Sequence, residues 1–234
     1  MRLYTFFAEI QEDKASIDDR KEINHLKNVL RLKKGTLVRL IDGKYEYKAK
    51  IEILNSKQVS LSIIEKSVDI YSLSKPIDVF FCITKQSSIS EAVKHLTEIG
   101  VSAFFPTLSR FSFKSPNTDK LSSISRESSK QCLAVKSMKI EKSVKIEEIN
   151  FDNYDLFIFA KERDGSKAIS QISNLIGNAH KIAFIIGPEG GFSREEKSFL
   201  EKKAIPISLG DRIYRSETAA VAVASLIKEF LWKK

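Results

Sequence analysis

Hydrophobic residues in the last third of the chain fall in short continuous runs that end at glycine. Residues 182–186 are apolar, mostly β-branched, and stop at Gly187-Pro188, which is the pattern of a strand buried on both faces of a parallel sheet. Residues 205–209 form a second such run, and it stops at Gly210. The pattern therefore predicts two neighbouring loops at the carboxyl ends of strands, where open α/β sheets bind ligands.

Each of these loops is expected to lead into a helix. Ser193 is followed three residues later by Glu196, and this spacing predicts a capping box at a helix start. Residues 219–227 are apolar except for Ser225. A helix that is apolar on nearly every face must be buried all round, so this one is expected in a core or in a subunit interface.

The region before these loops also predicts alternating strands and helices. A continuous apolar run over residues 77–83 indicates a buried strand, and a helical spacing of apolar residues then continues to Gly100. Further buried strands are predicted over residues 101–106 and 155–160. This order is typical of βαβ units, and it predicts an α/β fold with a parallel sheet and helices on both faces.

Residues 1–70 have a different pattern. The dipeptide Asp42-Gly43 is a hairpin signal, and the next pair of strands is separated at Asn55-Ser56. β-rich segments are predicted over residues 3–7, 37–41, 45–53 and 59–64. Short strands with tight turns and one small helix predict a small β-barrel. Because residues 65–76 are polar, we place a domain boundary there, with a second domain over residues 75–234.

Composition restricts the class of protein. The 234 residues are 42% hydrophobic and 29% charged, which indicates a globular chain with one large or two small domains. No stretch approaches transmembrane length without charge, and the charged start does not resemble a signal peptide. Cys82 and Cys132 lack the spacing of a metal site, and no His/Cys/Asp cluster offers one. We expect a cytoplasmic protein without a metal.

The net charge of +9 favours an anionic partner, of which nucleic acid is the commonest. A Lys-rich surface that faces only solvent would give the same net charge. The most basic short segment before the first hairpin contains His25, Lys27, Arg31, Lys33 and Lys34. Such a cluster can hold phosphates, with Arg31 giving bidentate contacts. The alternative is a helix whose Leu26, Val29 and Leu30 fill the barrel while its charges face water.

The loop over residues 187–191 contains three glycines but is neither a P-loop nor a dinucleotide-binding fingerprint. Its one charge is Glu189, which does not favour phosphate. An ordinary strand-to-helix turn would explain this loop taken alone. The second segment adds a dense set of polar side chains at the start of the last helix, namely Arg212, Arg215, Ser216, Glu217 and Thr218.

Together the two segments carry a resemblance to a known family. Ile186-Gly-Pro-Glu-Gly-Gly-Phe-Ser193, followed by Leu209-Gly-Asp-Arg-Ile-Tyr-Arg-Ser-Glu-Thr-Ala219, resembles the SPOUT superfamily. Within it, the pair is similar to the RsmE-type 16S ribosomal RNA uridine N3-methyltransferases. The resemblance implies a trefoil-knotted C-terminal domain that binds S-adenosylmethionine, a homodimer, and a PUA-like N-terminal domain that binds RNA of the small ribosomal subunit.

Methylation of uracil N3 needs stabilisation of a developing anion, and a guanidinium can provide it. We expect Arg215 to stabilise that anion, Glu217 to hold Arg215 or steer proton removal, and Gln131 to donate to a uracil carbonyl. The alternative for Arg215 and Glu217 is a structural pair at a helix start. Gln131 matches a family pattern, although Lys130 replaces the acid that is usual there. The cofactor is expected at Gly187, Glu189, Gly190, Gly191, Leu209, Gly210, Ile213, Tyr214 and Thr218. The loop after residue 160, with Lys161 and Glu162, is expected to form a third wall of that pocket.

RNA contacts are expected at Arg2, His25, Arg31, Lys85 and Arg110, which match positions of the family. For Lys85 and Arg110, solvated surface charge is an equally good explanation. Two other functions stay open at this point. One is a SPOUT enzyme that methylates a ribose 2′-hydroxyl or a transfer RNA, and the other is an RNA-binding protein of the same fold without activity.

Overall fold

The computed structural model describes residues 3–161 and 167–231. The chain divides into two compact units. The first contains residues up to 72 together with residues 129–137, and the second contains residues 73–128 together with those from 138 onward. None of the helices within the described ranges is both long and apolar enough to cross a lipid bilayer.

The first unit is a curled six-stranded sheet with a short helical segment. Its strands are β1 (Thr5–Phe7), β2 (Glu9–Gln11), β3 (Lys14–Ile17), β4 (Leu37–Ile41), β5 (Tyr45–Leu54) and β6 (Val59–Val68). Helix α1 (Arg20–Asn24) runs directly into a π-helical turn over His25–Val29. The strand order is β1-β4-β5-β6-β3-β2. Since the two edge strands β1 and β2 are separated only by Ala8, the sheet must curl until its edges meet, as a barrel does.

The predicted hairpin and the predicted alternation are both present in this barrel. Asp42 Oδ1 accepts hydrogen bonds from the amides of Lys44 at 2.8 Å and Tyr45 at 2.7 Å, and Gly43 supplies the positive φ of 92° that the turn needs. Along β5, Tyr47, Ala49 and Ile51 are buried, while Lys48 and Lys50 between them are exposed. The alternation places one face of each strand in the barrel core.

Residues 129–137 belong to the first unit because Arg39 of β4 holds their backbone. The Arg39 side chain donates to the carbonyl of Leu133 at 2.8 Å and to Glu46 Oε2 at 2.7 Å. Lys130 Nζ lies 2.9 Å from Glu22 Oε1. The boundaries predicted from sequence place all of residues 75–234 in the second domain. They did not separate this segment, since a contact with a distant strand has no local signal.

The second unit is an α/β layer structure. Its strands are β7 (Ile77–Cys82), β8 (Ala103–Leu108), β9 (Lys139–Ile140), β10 (Val144–Lys145), β11 (Leu156–Ala160), β12 (Lys167–Ala168), β13 (Ile182–Ile186) and β14 (Ile205–Ser208). Its helices are α2 (Gln86–Ile99), α3 (Thr118–Gln131), α4 (Ser173–Asn178), α5 (Arg194–Leu200) and α6 (Ser216–Leu231), with 3₁₀ turns at Ile146–Glu148, Phe151–Asn153 and Ile169–Ile172. The strand order is β10-β8-β7-β13-β11-β14-β12, β9 pairs with β8, and all the pairs are parallel.

Helices cover both faces of this sheet, as predicted. Val79 and Phe81 of β7 pack in one apolar cluster with residues of α2, α4 and α6. Phe80 and Cys82, on the opposite face of the same strand, pack in a second cluster with Leu200 of α5. A strand that is buried on both faces reads as a continuous apolar run, which explains why β7, β11 and β13 were recognisable from sequence.

Helix α6 is buried along one stripe only. Val223 and Ile227 are fully buried in the core that α6 shares with α2, whereas Leu226 and Phe230 are 39% and 37% exposed. The expectation that this helix is buried all round is therefore not met within a single chain. The other expected location, a subunit interface, stays a prediction that the exposed Leu226 and Phe230 are compatible with.

Replacing Arg39 with Met should lower the free energy of unfolding of the first unit by about 2 kcal/mol or more. The change leaves the Glu46 carboxylate, whose side chain is 20% exposed, and the Leu133 carbonyl without their donor. Guanidinium denaturation followed by circular dichroism measures the difference. Lys50→Met is the matched control, because Lys50 pairs with Glu52 at 3.9 Å on the exposed surface, where ion pairs contribute little. Equal stability of the two variants would contradict the anchoring role of Arg39.

Candidate active site

A cleft lies at the carboxyl ends of three adjacent strands of the second unit. β11, β13 and β14 end side by side there, because β11 pairs with both of the others in parallel. The cleft encloses about 780 Å³, including the space that is open to solvent. It is lined by Ala160, Lys161, Ile186, Gly187, Pro188, Glu189, Gly191, Phe192, Lys197, Leu209, Gly210, Arg212, Ile213, Tyr214, Ser216 and Ala219.

The first wall of the cleft is the glycine loop that follows β13. The amide of Gly191 donates to the carbonyl of Pro188 at 2.8 Å, and Gly191 has a positive φ of 68°, so the turn needs glycine at this position. A Cβ on Gly187 would lie 3.1 Å from the ring of Phe192. Gly187 therefore allows Phe192 to pack under the loop, and the backbone of the loop stays open to a ligand.

The helix that follows the glycine loop begins with the capping box that the sequence predicted. Ser193 Oγ accepts from the amide of Glu196 at 3.2 Å, and Glu196 Oε2 accepts from the amide of Ser193 at 2.7 Å. The second carboxylate oxygen of Glu196 accepts from the amide of Arg110 at 2.7 Å. The buried Glu196 carboxylate thus ties the glycine loop, α5 and the segment after β8 together.

The second wall of the cleft is the segment between β14 and α6. Gly210 has a φ of +98°, and a Cβ built on it would meet no atom within 4 Å. Ile213 and Tyr214 follow, 63% and 40% exposed. Large apolar side chains that line a cleft while they remain exposed are suited to covering the apolar part of a ligand.

A hydrogen bond joins the two walls. Ser216 Oγ, at the start of α6, donates to the carbonyl of Gly187 at 2.8 Å. Ser216 is only 5% exposed, so this bond is shielded from water. The first turn of α6 is therefore held against the loop after β13, and the polar residues around Ser216 are brought to the cleft.

Arg215 and Glu217 flank Ser216 but do not pair with each other. Arg215 is exposed, Glu217 is buried, and no ion pair joins them to each other or to other described residues. The predicted role of Glu217, to hold Arg215 or to steer proton removal, therefore stays a prediction. Arg215 is exposed directly beside Ser216, which lines the cleft, and can meet a negatively charged group there.

Most of the residues predicted to hold the cofactor line this cleft. Gly187, Glu189, Gly191, Leu209, Gly210, Ile213 and Tyr214 do so, whereas Gly190 and Thr218 are not among the lining residues. Gly190 instead faces Phe111, whose Cβ lies 3.7 Å from the position of a Cβ on Gly190. Thr218 lies exposed on the first turn of α6.

The cleft also contains residues that sequence reasoning did not assign to it. Lys197 and Arg212 add positive charge to the lining, and Phe192 and Ala219 add apolar surface. Their helical or loop positions were predictable, but nothing local indicated which way they face. The predicted third wall is present where Ala160 and Lys161 line the cleft, while Glu162 lies outside the described residues.

The other predicted residues lie outside the cleft. Lys85 is exposed at the N-cap of α2. Arg110 is exposed, and its Nη1 lies 3.3 Å from Glu195 Oε2. Gln131 is exposed at the end of α3, in the part of that helix that belongs to the first unit.

The predicted RNA contacts of the barrel lie around the π-helical turn. His25 is half-buried and Arg31 is exposed, with an unusual positive φ of 52°. Leu26 fills the barrel with no exposed surface, whereas Val29 is 62% exposed. The alternative in which Leu26, Val29 and Leu30 all fill the barrel is thus only partly correct. Arg2 lies outside the described residues.

Neither of the two cysteines lines the cleft. Burial raises the pKa of the Cys82 thiol well above its usual range, so this side chain remains a protonated apolar residue. Residues 3–161 and 167–231 contain no group of three His, Cys, Asp or Glu side chains placed to hold a metal ion. The described groups that can act on a ligand are backbone amides, hydroxyls, guanidinium and ammonium groups, and carboxylates.

The chain is similar to known proteins over nearly its whole length. It is 28% identical over 232 residues to the ribosomal RNA small subunit methyltransferase E of Rickettsia conorii, with 97% of this chain and 94% of that protein covered. The protein of the same name from Aquifex aeolicus is 26% identical over 235 residues, which cover 97% of this chain and all of the relative.

A solved structure has the same fold. The ribosomal RNA small subunit methyltransferase E of Neisseria gonorrhoeae, bound to S-adenosyl methionine, superposes with a TM-score of 0.88 at 19% identity, over 97% of this chain and 98% of that one. The model of an RNA methyltransferase PUA domain matches residues 17–64.

The model of the RNA methyltransferase domain matches residues 72–228, which is more than half of the chain and includes both walls of the cleft. Because the match includes the glycine loop after β13, the segment after β14 and the start of α6, this chain belongs to the RNA methyltransferase family.

Proposed function

We propose that this protein transfers a methyl group from S-adenosylmethionine to N3 of a specific uridine in 16S ribosomal RNA. The observation that carries the proposal is the apolar cleft between the two glycine-containing segments, with Arg215 exposed at its rim. The named relatives from Rickettsia conorii and Aquifex aeolicus support the choice of small-subunit RNA. A substrate in the ribosome would place the enzyme in the cytoplasm.

The cleft has the features that this cofactor requires. Gly191 and Gly210 both adopt left-handed backbone conformations, and a Cβ on either would meet no atom within 4 Å. Backbone groups can therefore approach the polar parts of the cofactor closely, while Ile213 and Tyr214 cover its apolar parts. When bound, the cofactor supplies an electrophilic methyl group on a sulfonium sulfur. The bound S-adenosyl methionine of the Neisseria gonorrhoeae protein is consistent with this fit.

The residues at the start of α6 would lower the barrier for the uracil. N3 loses a proton as it becomes bonded to the methyl carbon, and negative charge develops on the imide. The Arg215 guanidinium can stabilise this charge, since it presents a planar fork of hydrogen-bond donors. Glu217 is 8% exposed and would steer the departing proton. Gln131 would donate a hydrogen bond to a uracil carbonyl.

The barrel of the first unit would present the RNA. Residues 1–70 would act as a PUA-like RNA-binding domain, and residues 75–234 as the methyltransferase domain. The exposed cations around Arg31 can neutralise phosphates, with His25 beside them. Lys85 and Arg110 in the second unit, and Arg2 at the start of the chain, would add further phosphate contacts. The net charge of +9 supports an extended contact with RNA.

The exposed stripe of α6 supports a homodimer. Leu226 and Phe230 are exposed on the same helix whose first turn carries the proposed catalytic residues. Covering them with a second copy would remove apolar surface from water. We further propose that residues 182–224 form a trefoil knot of the SPOUT type, in which the two glycine-containing segments are the knot loops.

The purified protein should methylate small ribosomal subunits isolated from a strain that lacks its gene. With isotopically labelled S-adenosylmethionine, mass mapping of the RNA is expected to find one N3-methyluridine in 16S RNA. Naked 16S RNA serves as the comparison substrate. A methyl group on a ribose 2′-hydroxyl or on transfer RNA would assign the protein to another SPOUT activity. Cofactor binding without transfer to any RNA would leave a non-catalytic RNA-binding protein.

Arg215→Ala should lower kcat by about a hundredfold or more, because a charge-stabilising donor is lost from the transition state. Binding of S-adenosylmethionine, measured by calorimetry, should be largely retained, since Arg215 is not among the residues that line the cleft. Arg215→Lys keeps the charge without the fork of donors, and should restore only part of the rate. Arg194→Ala, on the exposed surface of α5, is the control. A normal kcat for Arg215→Ala would remove this residue from the reaction centre.

Gly210→Leu should weaken S-adenosylmethionine binding at least about tenfold, because the side chain would enter the cleft where the backbone must approach the ligand. Gly43→Leu is the matched control. Gly43 has a φ of +92° with no atom within 4 Å of a Cβ, so a leucine there imposes similar backbone strain on a turn of the first unit. Both variants should lose thermal stability, but only Gly210→Leu should lose cofactor affinity. Equal cofactor affinity in the two would contradict the proposed site.

A further inference from the structure

The segment after β8 carries two phenylalanines that are not covered by the rest of the chain. Residues 109–114 read Ser-Arg-Phe-Ser-Phe-Lys, and Phe111 and Phe113 are 51% and 49% exposed. Burying a phenyl ring is worth about 2 kcal/mol, so two adjacent exposed rings are unfavourable for the isolated chain. Clusters of exposed apolar side chains with polar neighbours commonly mark interaction sites.

The backbone that carries the two rings is held firmly. The amide of Phe113 donates to the carbonyl of Ile83 at 3.0 Å. Ser112 Oγ accepts from the amide of Ser109 at 3.0 Å and donates to the carbonyl of Thr107 at 3.3 Å. Together with the bond from the Arg110 amide to Glu196, these contacts tie the segment to β7, β8 and α5. The rings are therefore presented on a preorganised support.

The segment adjoins the proposed methyl-donor cleft. Cβ, Cγ and Cδ2 of Phe111 lie 3.7–3.8 Å from the position of a Cβ on Gly190. Gly190 is followed directly by Gly191, which lines the cleft. Phe111 is thus continuous with the loop that forms the first wall, and a molecule seated on its ring would reach the rim of the cleft.

Cations flank the two rings. Arg110 lies with its guanidinium carbon 6.0 Å from the centre of the Phe111 ring, and Lys114 is exposed after Phe113. The ion pair of Arg110 with Glu195 is exposed on both sides, with 64% and 74% of the side chains accessible. Such a pair contributes little, so Arg110 can exchange it for a phosphate. Interleaved cations and aromatic rings fit single-stranded nucleic acid, whose bases stack and whose backbone is anionic.

We propose that Phe111 and Phe113 form a stacking platform for bases of single-stranded RNA next to the nucleotide that is methylated. This inference rests on the proposed function. An enzyme that modifies a base must take it out of its stack, and the neighbouring bases then lose a stacking partner. The two rings replace that partner, while Arg110 and Lys114 contact the phosphates on either side. The platform selects unstacked RNA over a paired helix, in which base faces are covered.

The test compares RNA binding and methyl transfer in variants of the full-length protein. The Phe111→Ala/Phe113→Ala double variant should raise the Kd for 16S RNA at least about tenfold, as expected for loss of base stacking. The Phe111→Tyr/Phe113→Tyr double variant keeps both rings and should restore affinity. Leu175→Ala removes a side chain that is 48% exposed on α4, and it should bind RNA like the native protein.

Salt dependence separates stacking from charge. The slope of log Kd against log salt concentration should be unchanged in the double alanine variant, because no phosphate contact is lost. Arg31→Ala is the comparison, since loss of one phosphate contact should reduce the slope by about 1. Binding of S-adenosylmethionine and the mass of the particle in light scattering are measured on the same samples.

Each of the alternative outcomes contradicts one specific part of the proposal. Native RNA affinity in the double alanine variant would remove the platform and leave the proposed function intact. Loss of cofactor affinity with native RNA affinity would make Phe111 a support for the Gly190 loop instead. A change from dimer to monomer would assign the rings to a subunit contact. Absence of methyl transfer to any RNA by the native protein would refute the proposed function itself.

Discussion

The bond from the Ser216 hydroxyl to the Gly187 carbonyl is the contact on which the site depends. It spans 2.8 Å between groups that are 29 positions apart in the chain, and it is shielded from water. Without this bond, no hydrogen bond of Ser216 would join the first turn of α6 to the loop after β13. With it, Arg215 and Glu217 are brought to the edge of the same cleft that the glycine loop forms.

Around this bond, a closely packed core supports a cleft that stays open. Parallel strands buried on both faces give the second unit a core that does not move easily. At their carboxyl ends, Gly191 and Gly210 bend the backbone sharply without adding side chains, so the space above the strands stays open. The buried carboxylate of Glu196 then fixes the rim by accepting from the amides of both Ser193 and Arg110.

A rigid support also underlies the large apolar residues that are exposed. Ile213 and Tyr214 at the cleft, Phe111 beside it, and Phe230 on α6 are all large side chains that remain exposed. Each is held by an element that is well anchored elsewhere. An exposed apolar residue on such an element is suited to a partner that arrives later. We propose a different partner for each position: a cofactor, an RNA base and a second copy of the chain.

Local patterns in the sequence were sufficient for several elements. The continuous apolar runs predicted β7, β11 and β13, the Asp42-Gly43 dipeptide predicted the first hairpin, and the spacing of Ser193 and Glu196 predicted the start of α5. These signals work because strand burial, turn geometry and capping each involve residues close in sequence. The short strands β9, β10 and β12 were missed, since two residues carry too little pattern.

The sequence by itself determined the two-part organisation, the parallel sheet and the two glycine-containing walls of the cleft, because glycine-ended strands and helix caps are local features. Only the tertiary structure decided which side chains meet across long distances. It attached residues 129–137 to the barrel through Arg39, and it turned Gly190 toward Phe111 rather than into the cleft. Such outcomes depend on the direction in which a side chain leaves its element and on what packs opposite it, and neither is encoded in the neighbouring residues.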